Sequence, residues 1–221
     1  MRLIPEAWMK GTLLLVLQAS VLPGAIAQEW PLQVVGRAFD KSGDELLYSE
    51  YHYCGSASAC MIEYRKPGGD LIARKDLDYS YGPHSPALVM IDYPSGKEVR
   101  VGGSEREDVV VDAGFDNYVR SRWDELAAGE SIEFPFQIVG FDRPLAMKAY
   151  RASQGGCALE DLCLEVSLDS WFLGLLVDPI VLSYARDSRR LLRFRGISNL
   201  RDDKGKTFQV DIRYEYANNT T

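Results

Sequence analysis

Apolar and polar residues alternate along many short segments of this chain, and this period of two constrains the fold more than any other feature. Segment 211–216 reads Asp-Ile-Arg-Tyr-Glu-Tyr, and segment 132–138 repeats the pattern with Ile132, Phe134 and Phe136 on one side. Successive side chains of a strand point to opposite faces, so each segment predicts a strand with one dry and one solvated face. Such strands are typical of antiparallel sheet, because parallel sheet is covered on both faces.

Turns rich in glycine and proline separate the alternating segments, since these residues supply the backbone angles that chain reversals need. The predicted hairpins pair 32–39 with 45–54, 60–66 with 70–78, 86–93 with 97–102, and 190–199 with 206–216. Further strands are predicted at 131–139, 144–152, 162–169 and 179–186. The chain is therefore predicted to be mainly β, an antiparallel meander of about 11–12 strands.

One stretch has helical spacing instead. The apolar residues of segment 115–127 recur every three or four positions, which predicts one amphipathic helix. Asp112 or Asp116 can cap its start, and Gly129 can end it. A sheet with one apolar face must cover that face, so we predict a strongly curved sheet, or half-barrel, wrapped around this helix. The apolar run 171–177 is either a second, short buried helix or a loop.

Residues 1–27 have the features of a cleavable secretory signal. Positive charge near the start precedes a short apolar run at 12–22, and Ala25 and Ala27 form the small-x-small pattern of a cleavage site. Cleavage there leaves Gln28 as the first mature residue. A transmembrane anchor is the alternative interpretation, but a spanning helix needs about 20 apolar residues, and this run is shorter.

The remaining region, 28–221, has a size that one domain can hold with a substantial core, and we expect a single β-rich domain. No later segment is long and apolar enough to span a membrane, so we expect no stable membrane span. The chain carries 25 Lys and Arg against 32 Asp and Glu, a net charge of −7. An acidic surface repels phosphate backbones, so nucleic acid is not an expected partner. The compact leader and few cysteines favour the periplasm.

The four cysteines form two groups of equal spacing. Cys54 and Cys60 bracket one five-residue loop, and Cys157 and Cys163 bracket another. Four cysteines allow three connectivities; we favour the two local pairs because each flanks a short loop between strand-like segments. A redox or zinc site is the alternative, but its usual C-x-x-C spacing is absent. An oxidising compartment favours structural disulfides.

Catalytic and metal-binding motifs are not found in the sequence. His52 lies in a tyrosine-rich strand and His84 in a loop, and neither lies in a recognisable serine–histidine–acid pattern. We therefore expect no enzymatic activity, no cofactor and no metal.

The order of leader, meander, inserted helix and second meander resembles the periplasmic lipoprotein-carrier family, whose fold is an unclosed barrel of antiparallel strands around helices. The segment from Leu182 to Gly196 also resembles uncharacterised envelope proteins of that general kind. The resemblance is one of architecture and assigns no role to individual residues. It implies binding of an acyl chain or another apolar group.

Large apolar residues around the predicted helix are the candidates for lining such a cavity, because rings and leucines suit an acyl chain. They are Phe115, Val119, Trp123, Phe134, Phe136, Trp171, Phe172, Leu175 and Leu176. The same residues also fit a filled core. We therefore predict a periplasmic protein that binds a lipid or acyl chain. The alternative is a structural or protein-interaction component of the cell envelope, with an envelope protein as its partner.

We predict that the protein, expressed with its leader in a Gram-negative host, is exported and begins at Gln28. The intact mass of the periplasmic fraction checks this. Ala27→Arg should block processing, because the peptidase needs a small residue there, whereas Glu29→Gln should be processed normally. An exported protein that retains residues 1–27 would contradict the prediction.

Overall fold

The computed structural model describes residues 30–102, 108–152, 156–170, 178–202 and 204–217. Within these ranges the chain forms thirteen strands, two α-helices and one 3-10 turn at Tyr79–Tyr81. The strands are β1 (Leu32–Asp40), β2 (Leu46–Cys54), β3 (Ala59–Arg65), β4 (Leu71–Asp78), β5 (Ala87–Asp92), β6 (Lys97–Val101), β7 (Val110–Val111), β8 (Ile132–Gln137), β9 (Leu145–Arg151), β10 (Leu162–Leu168), β11 (Ile180–Tyr184), β12 (Leu191–Arg201) and β13 (Thr207–Tyr216).

These strands form one nearly closed, barrel-like sheet, which confirms the mainly β prediction. The sheet order is β6-β5-β4-β3-β2-β1-β13-β12-β11-β10-β9-β8-β7. Every neighbouring pair is antiparallel except β7 and β8, which are parallel. The twelve predicted strands are all present within two residues of their predicted bounds. The additional strand, β7, has only two residues and therefore shows no alternation.

The β1–β13 pair lies in the middle of the sheet and joins the two ends of the described chain, with Val34 opposite Tyr216 and Asp40 opposite Val210. Register shifts interrupt the pairs β1–β2, β3–β4, β11–β12 and β12–β13. Such bulges increase local twist and bend a sheet. Gly36 on β1 allows a close contact with β13, because a Cβ there would lie 2.8 Å from Cε1 of Tyr214. The missing side chain lets that ring lie against β1.

The predicted helical segment is present at the predicted place, but it forms two helices instead of one: α1 (Gly114–Ser121) and α2 (Trp123–Ala128). Arg122 separates them with a φ of −105° and a ψ of 20°. The Ser121 hydroxyl donates to the Tyr118 carbonyl at 2.7 Å. Such a bond from a serine side chain to the preceding turn competes with the regular backbone ladder. The Tyr118 carbonyl accepts from both the Ser121 hydroxyl and Arg122 N, so the break lies next to a carbonyl that is shared between a side chain and the backbone.

The caps were predicted only in part. Gly129 ends α2 with a φ of 93°, as expected for a left-handed cap. The start of α1 differs from the prediction, since its N-cap is Ala113 and makes no side-chain hydrogen bond. Neither Asp112 nor Asp116 caps the helix, because both carboxylates bond to cationic side chains instead.

The apolar interior consists of two clusters of buried residues. The first packs both helices against β8–β11 and includes Val119, Trp123 and Leu126. The second lies among β1–β5, β12 and β13. Phe194 contacts both clusters, so the sheet encloses one continuous apolar interior. No helix in the described part of the chain is long and apolar enough to cross a membrane.

Two disulfides are formed, Cys54–Cys60 and Cys157–Cys163, which confirms the preferred local connectivity. Cys54 and Cys60 stand opposite each other at the end of the β2–β3 hairpin. Both bonds fit an oxidising compartment. The predicted leader, 1–27, and the apolar run 171–177 lie outside the described residues.

The two free edges of the sheet, β6 and β7, do not pair with each other. We call the gap between them the seam. The segment that precedes β5 closes part of it, since His84 O accepts a hydrogen bond from Val111 N at 2.9 Å. The Ser85 hydroxyl likewise donates to the Val109 carbonyl. The barrel is thus closed here by turn contacts and side chains instead of a continuous backbone ladder.

A buried ion pair spans the interior next to the seam. Lys75 Nζ lies 2.5 Å from Asp112 Oδ1, and the two side chains are only 4% and 7% exposed. Asn199 Nδ2 donates to the other carboxylate oxygen of Asp112 at 2.6 Å. Lys75 is on β4 and Asn199 on β12, which are separated in the sheet by β3, β2, β1 and β13. Asp112 therefore connects two distant parts of the barrel to the start of α1.

We predict that Lys75→Met lowers the free energy of unfolding by about 3–5 kcal/mol, because it leaves the buried Asp112 carboxylate without its cation. Arg74→Met is the matched control, since Arg74 is the neighbouring residue and pairs with Asp76 on the outer face. The side chains of that control pair are 40% and 39% exposed, so its loss should cost less than about 1 kcal/mol. Guanidinium denaturation measures the free energy of unfolding of both variants. Equal losses in the two variants would contradict a special contribution of the buried Lys75–Asp112 pair.

Candidate ligand-binding site

The structure brings together all five of the predicted cavity residues that it describes. Phe115 and Val119 are on α1, Trp123 is on α2, and Phe134 and Phe136 are on β8. All five belong to the first apolar cluster or pack against it. The other four candidates, Trp171, Phe172, Leu175 and Leu176, lie outside the described residues.

Phe115, Tyr118, Phe134 and Phe136 form a group of contacting rings that we call the aromatic wall. Phe115 stacks on Phe134 with ring centroids 5.4 Å apart and meets the edge of Phe136 at 5.7 Å. Tyr118 contacts Phe134 at 5.1 Å. Aromatic pairs of this kind contribute about 0.5–1.5 kcal/mol each beyond burial. The wall therefore fixes α1 against β8.

Burial divides the five residues into two groups. Val119, Trp123 and Phe134 are buried, whereas Phe115 and Phe136 are only partly buried. The first three fill the space between helices and sheet, as core residues do. The other two lie at the margin of the cluster, towards the edge of the sheet where β8 pairs with the short β7.

Two concavities lie beside this margin. One of about 340 Å³ occupies the seam, and its lining residues are Ser85, Arg100, Val101, Gly102, Val109, Val111, Gln137, Phe141, Asp142 and Pro144. A second of about 500 Å³ is lined by Glu133, Phe134, Pro135, Pro144, Ala146, Met147 and Asp169. Pro144 lines both, so the two concavities adjoin. Phe134 and Met147 are themselves members of the buried core.

The turn after β8 presents an exposed aromatic ring in the seam. Phe141 is 53% exposed, although it is a large apolar residue. Gln137 Nε2 donates to the Phe141 carbonyl at 2.6 Å, and Phe141 N donates to the Ile138 carbonyl at 3.2 Å. Gly140 has a φ of 84°, a backbone conformation that residues with a side chain rarely adopt. These backbone contacts hold Phe141 beside the concavity in the seam.

Sequence reasoning missed the charged groups on the inner face of the barrel. Glu50 is buried; its Oε2 lies 3.2 Å from His52 Nε2 and accepts a hydrogen bond from the Tyr214 hydroxyl at 3.3 Å. Burial raises the pKa of Tyr214 well above its usual range, and Glu50 adds to the rise. Glu50 follows Tyr48 by two positions, as Lys75 follows Ala73. The sequence signal for these inner charges was a charged residue two positions after a residue that faces the interior, since both then point to the same face of the strand.

The two histidines have different surroundings. His52 faces Glu50 and the ring of Tyr214, whose centroid is 6.1 Å away. His84 packs against Tyr118 with centroids 5.4 Å apart, and partial burial lowers the pKa of His84. The described residues contain no group of three His, Cys, Asp or Glu placed to hold a metal ion.

No protein-family model matches the chain, and no curated protein matches it. Among solved structures, it is similar to one described as an outer membrane lipoprotein-sorting protein domain from Vibrio parahaemolyticus, over 86% of each chain. The identity is 7% and the TM-score is 0.27. A TM-score of this size assigns neither a fold nor a function to this chain.

We predict that Phe134→Ala lowers the free energy of unfolding by about 3–5 kcal/mol, because the side chain is buried and contacts three other rings. Phe136→Ala, on the same strand but at the margin of the cluster, should cost clearly less. Thermal and urea unfolding monitored by circular dichroism compares the variants. A larger loss for Phe136→Ala would show that the wall is packed differently.

Proposed function

We propose that the protein binds an apolar ligand, such as a lipid or an acyl chain, in the two adjoining concavities, one at the seam of its nearly closed barrel and one beside it. One observation carries this proposal: Phe134 and Met147 belong both to the buried core and to the lining of the 500 Å³ concavity. A ligand in that concavity lies next to two residues of the apolar interior of the barrel. Ligand pockets usually measure about 300–1,000 Å³, so both concavities are of suitable size.

The energetics favour a chain-like ligand. Each buried methylene group contributes about 0.8 kcal/mol, so a chain of several methylenes lying across the two adjoining concavities gains several kcal/mol. Polar residues surround the apolar surface, among them Glu133 and Asp169 at one concavity and Asp142 at the other. Such groups orient a bound molecule.

The cellular setting belongs to the same proposal. The two disulfides fit export, and together with the expected signal at 1–27 they support a periplasmic location. A carrier of apolar molecules there needs a donor or acceptor, so we include an envelope protein as a partner. The acidic net charge of −7 argues against nucleic acid.

The second candidate function is a structural or interaction component of the envelope. The burial of Val119, Trp123 and Phe134 favours it, because these three predicted cavity residues fill the interior instead of lining an open space. A protein with a filled core presents its partner with an outer surface and takes up no lipid.

Titration of the mature protein with anthroyloxy-labelled stearic acid tests the proposal, and we expect saturable fluorescence enhancement. Phe141→Ser should weaken this binding about tenfold, because it removes an apolar ring from the seam. Tyr93→Ser is the matched control, since Tyr93 is also exposed (43%) but lies outside both concavities. The control should bind the probe as the unaltered protein does.

Mass spectrometry of organic extracts from the purified protein provides the second readout, with co-purifying lipid as the expected result. Absence of both co-purifying lipid and saturable probe binding would overturn the proposal and favour the envelope component. Equal weakening by Phe141→Ser and Tyr93→Ser would show that the probe adheres to exposed rings and not to the seam.

A further inference from the structure

Three arginines stand side by side on the outer face of the sheet, in one row across β1, β13 and β12. Arg37 lies directly opposite Arg213, and Arg213 lies directly opposite Arg193. The residues next to them along the strands, such as Ala38 and Ile212, are buried in the interior, so the arginines point outward. Like charges at directly opposite positions destabilise a sheet. Stability of the fold therefore does not account for this row.

A buried carboxylate holds two of these arginines in place. Asp211 accepts hydrogen bonds from Arg193 Nε at 2.6 Å and Nη2 at 2.8 Å, and from Arg213 Nη2 at 3.0 Å. The Asp211 side chain is 4% exposed, whereas those of Arg193 and Arg213 are 37% and 49% exposed. The Arg213 guanidinium also lies over the Phe39 ring, 4.4 Å from its centroid. Both guanidiniums are therefore fixed above their shared carboxylate and open to solvent.

Arg195 adds a third guanidinium near the same carboxylate. It follows Arg193 by two positions on β12 and lies directly opposite Asp211, so it belongs to the same outer surface. Its side chain forms no hydrogen bond or salt bridge with another described residue. Partial burial lowers the pKa of Arg195, Arg193 adds to the lowering, and Asp211 offsets it only in part. This guanidinium is therefore available to an anion from outside the molecule.

The four arginines of this outer surface form what we call the arginine face: Arg37, Arg193, Arg195 and Arg213. Their carboxylate partners are Asp211 and the exposed Glu215, which pairs with Arg37. The face thus keeps positive charge on a chain whose net charge is −7. At physiological ionic strength the screening length is about 8 Å, so a body in contact with these arginines responds to them more than to distant acidic residues.

The loop closed by the second disulfide, Cys157–Cys163, lies beside the arginine face. The Asp161 carboxylate accepts a hydrogen bond from the Ser183 hydroxyl on β11, which lies directly opposite Arg193. At the other end of the loop, a Cβ on Gly156 would collide with the guanidinium of Arg195. The disulfide therefore fastens a loop that is folded back onto the outer face of the barrel.

Two exposed apolar residues border the arginine face. Leu159, in this loop, is 100% exposed, and Ile197, two residues after Arg195 on β12, is 39% exposed. Glu160, also exposed, adds one carboxylate beside Leu159, and even with it the surface stays positive. Guanidiniums and apolar side chains are thus presented together on one side of the molecule.

An anionic phospholipid bilayer has the chemistry that matches this surface. Guanidiniums bind phosphate oxygens with two parallel hydrogen bonds, and the phosphates of a bilayer lie together near one plane. An exposed leucine beside them can enter the boundary between head groups and acyl chains. A protein partner would instead have to place a carboxylate opposite each fixed guanidinium and a pocket opposite Leu159, whereas a fluid bilayer adjusts to both.

We propose that the arginine face and Leu159 dock the protein on the surface of an anionic phospholipid bilayer. The strands β1, β13 and β12 are in the middle of the sheet order, and the seam lies between its two ends. The docking surface is therefore on the side of the barrel away from the seam. A docked molecule keeps the seam accessible, and docking does not depend on whether the concavities bind a ligand.

Sedimentation of the purified protein with vesicles tests this inference. We expect binding to vesicles of phosphatidylglycerol and phosphatidylcholine in equal parts, and at least tenfold weaker binding to vesicles of phosphatidylcholine alone. Added salt should weaken the binding, because ions screen exposed charges. Equal binding to both kinds of vesicle would overturn the inference. Absence of binding to the anionic vesicles would also overturn it, and would favour an acidic protein as the occupant of this surface.

Arg195→Gln should weaken binding to the anionic vesicles about fivefold, which corresponds to about 1 kcal/mol for one basic residue at an anionic surface. The variant should melt as the unaltered protein does, because this side chain has no bonded partner among the described residues. Arg74→Gln is the matched control, since it removes the same charge from the outer face of β4. Equal weakening by both variants would show a response to net charge alone and would overturn the inference.

Leu159→Ser should weaken the same binding about tenfold, because a leucine that leaves water on docking is stabilised by burial. Its fold should be unaffected, since the side chain is fully exposed. Tyr93→Ser is the control, because Tyr93 is also an exposed apolar residue but lies after β5, away from the arginine face. Full binding by Leu159→Ser, or equal losses in the two variants, would overturn the assignment of this surface.

Discussion

The buried pair of Lys75 and Asp112 is the interaction on which the rest of the structure depends. The sheet does not close through a continuous backbone ladder at the seam, so contacts beyond that ladder help to hold its distant strands together. Asp112 does so by accepting from Lys75 on β4 and Asn199 on β12. Burying two charges costs several kcal/mol per ion, and only close geometry with further hydrogen bonds offsets that cost. Because α1 begins two residues after Asp112, the same pair also positions the start of the helix that carries Phe115 of the aromatic wall.

The strands, most turns and the disulfide pairing could be predicted because each is a local property. Alternation of apolar and polar residues indicates which face of a strand is buried, and five residues between two cysteines indicate a disulfide that closes a short loop. The two helices could not be separated in this way. The spacing of Phe115, Val119 and Trp123 is the same whether or not the backbone breaks at Arg122. The break lies beside the bond from the Ser121 hydroxyl, and apolar spacing gives no signal for such a bond.

The candidate site was predicted in part for the same reason. Phe134 and Phe136 were found from their spacing, but the alternation could not tell that one is buried and the other marginal, since that depends on the short neighbour β7. Phe141 was missed as a site residue. It is exposed at the turn after β8, where Gln137 bonds to its carbonyl, and the alternation of apolar residues gives no signal for such a turn contact.

The pairing of β1 with β13 has a consequence for how this chain acquires its shape. β1, the first described strand, can pair with β13, the last one, only after β13 has been synthesised. In this pair Val34 lies opposite Tyr216, although the two residues are near opposite ends of the described chain. Contacts of such long sequence separation slow folding, and an unpaired strand edge invites association with other chains. During synthesis, β1 therefore remains unpaired on that side until β13 has been made. Until then, this edge of β1 is open to pairing with a strand of another chain.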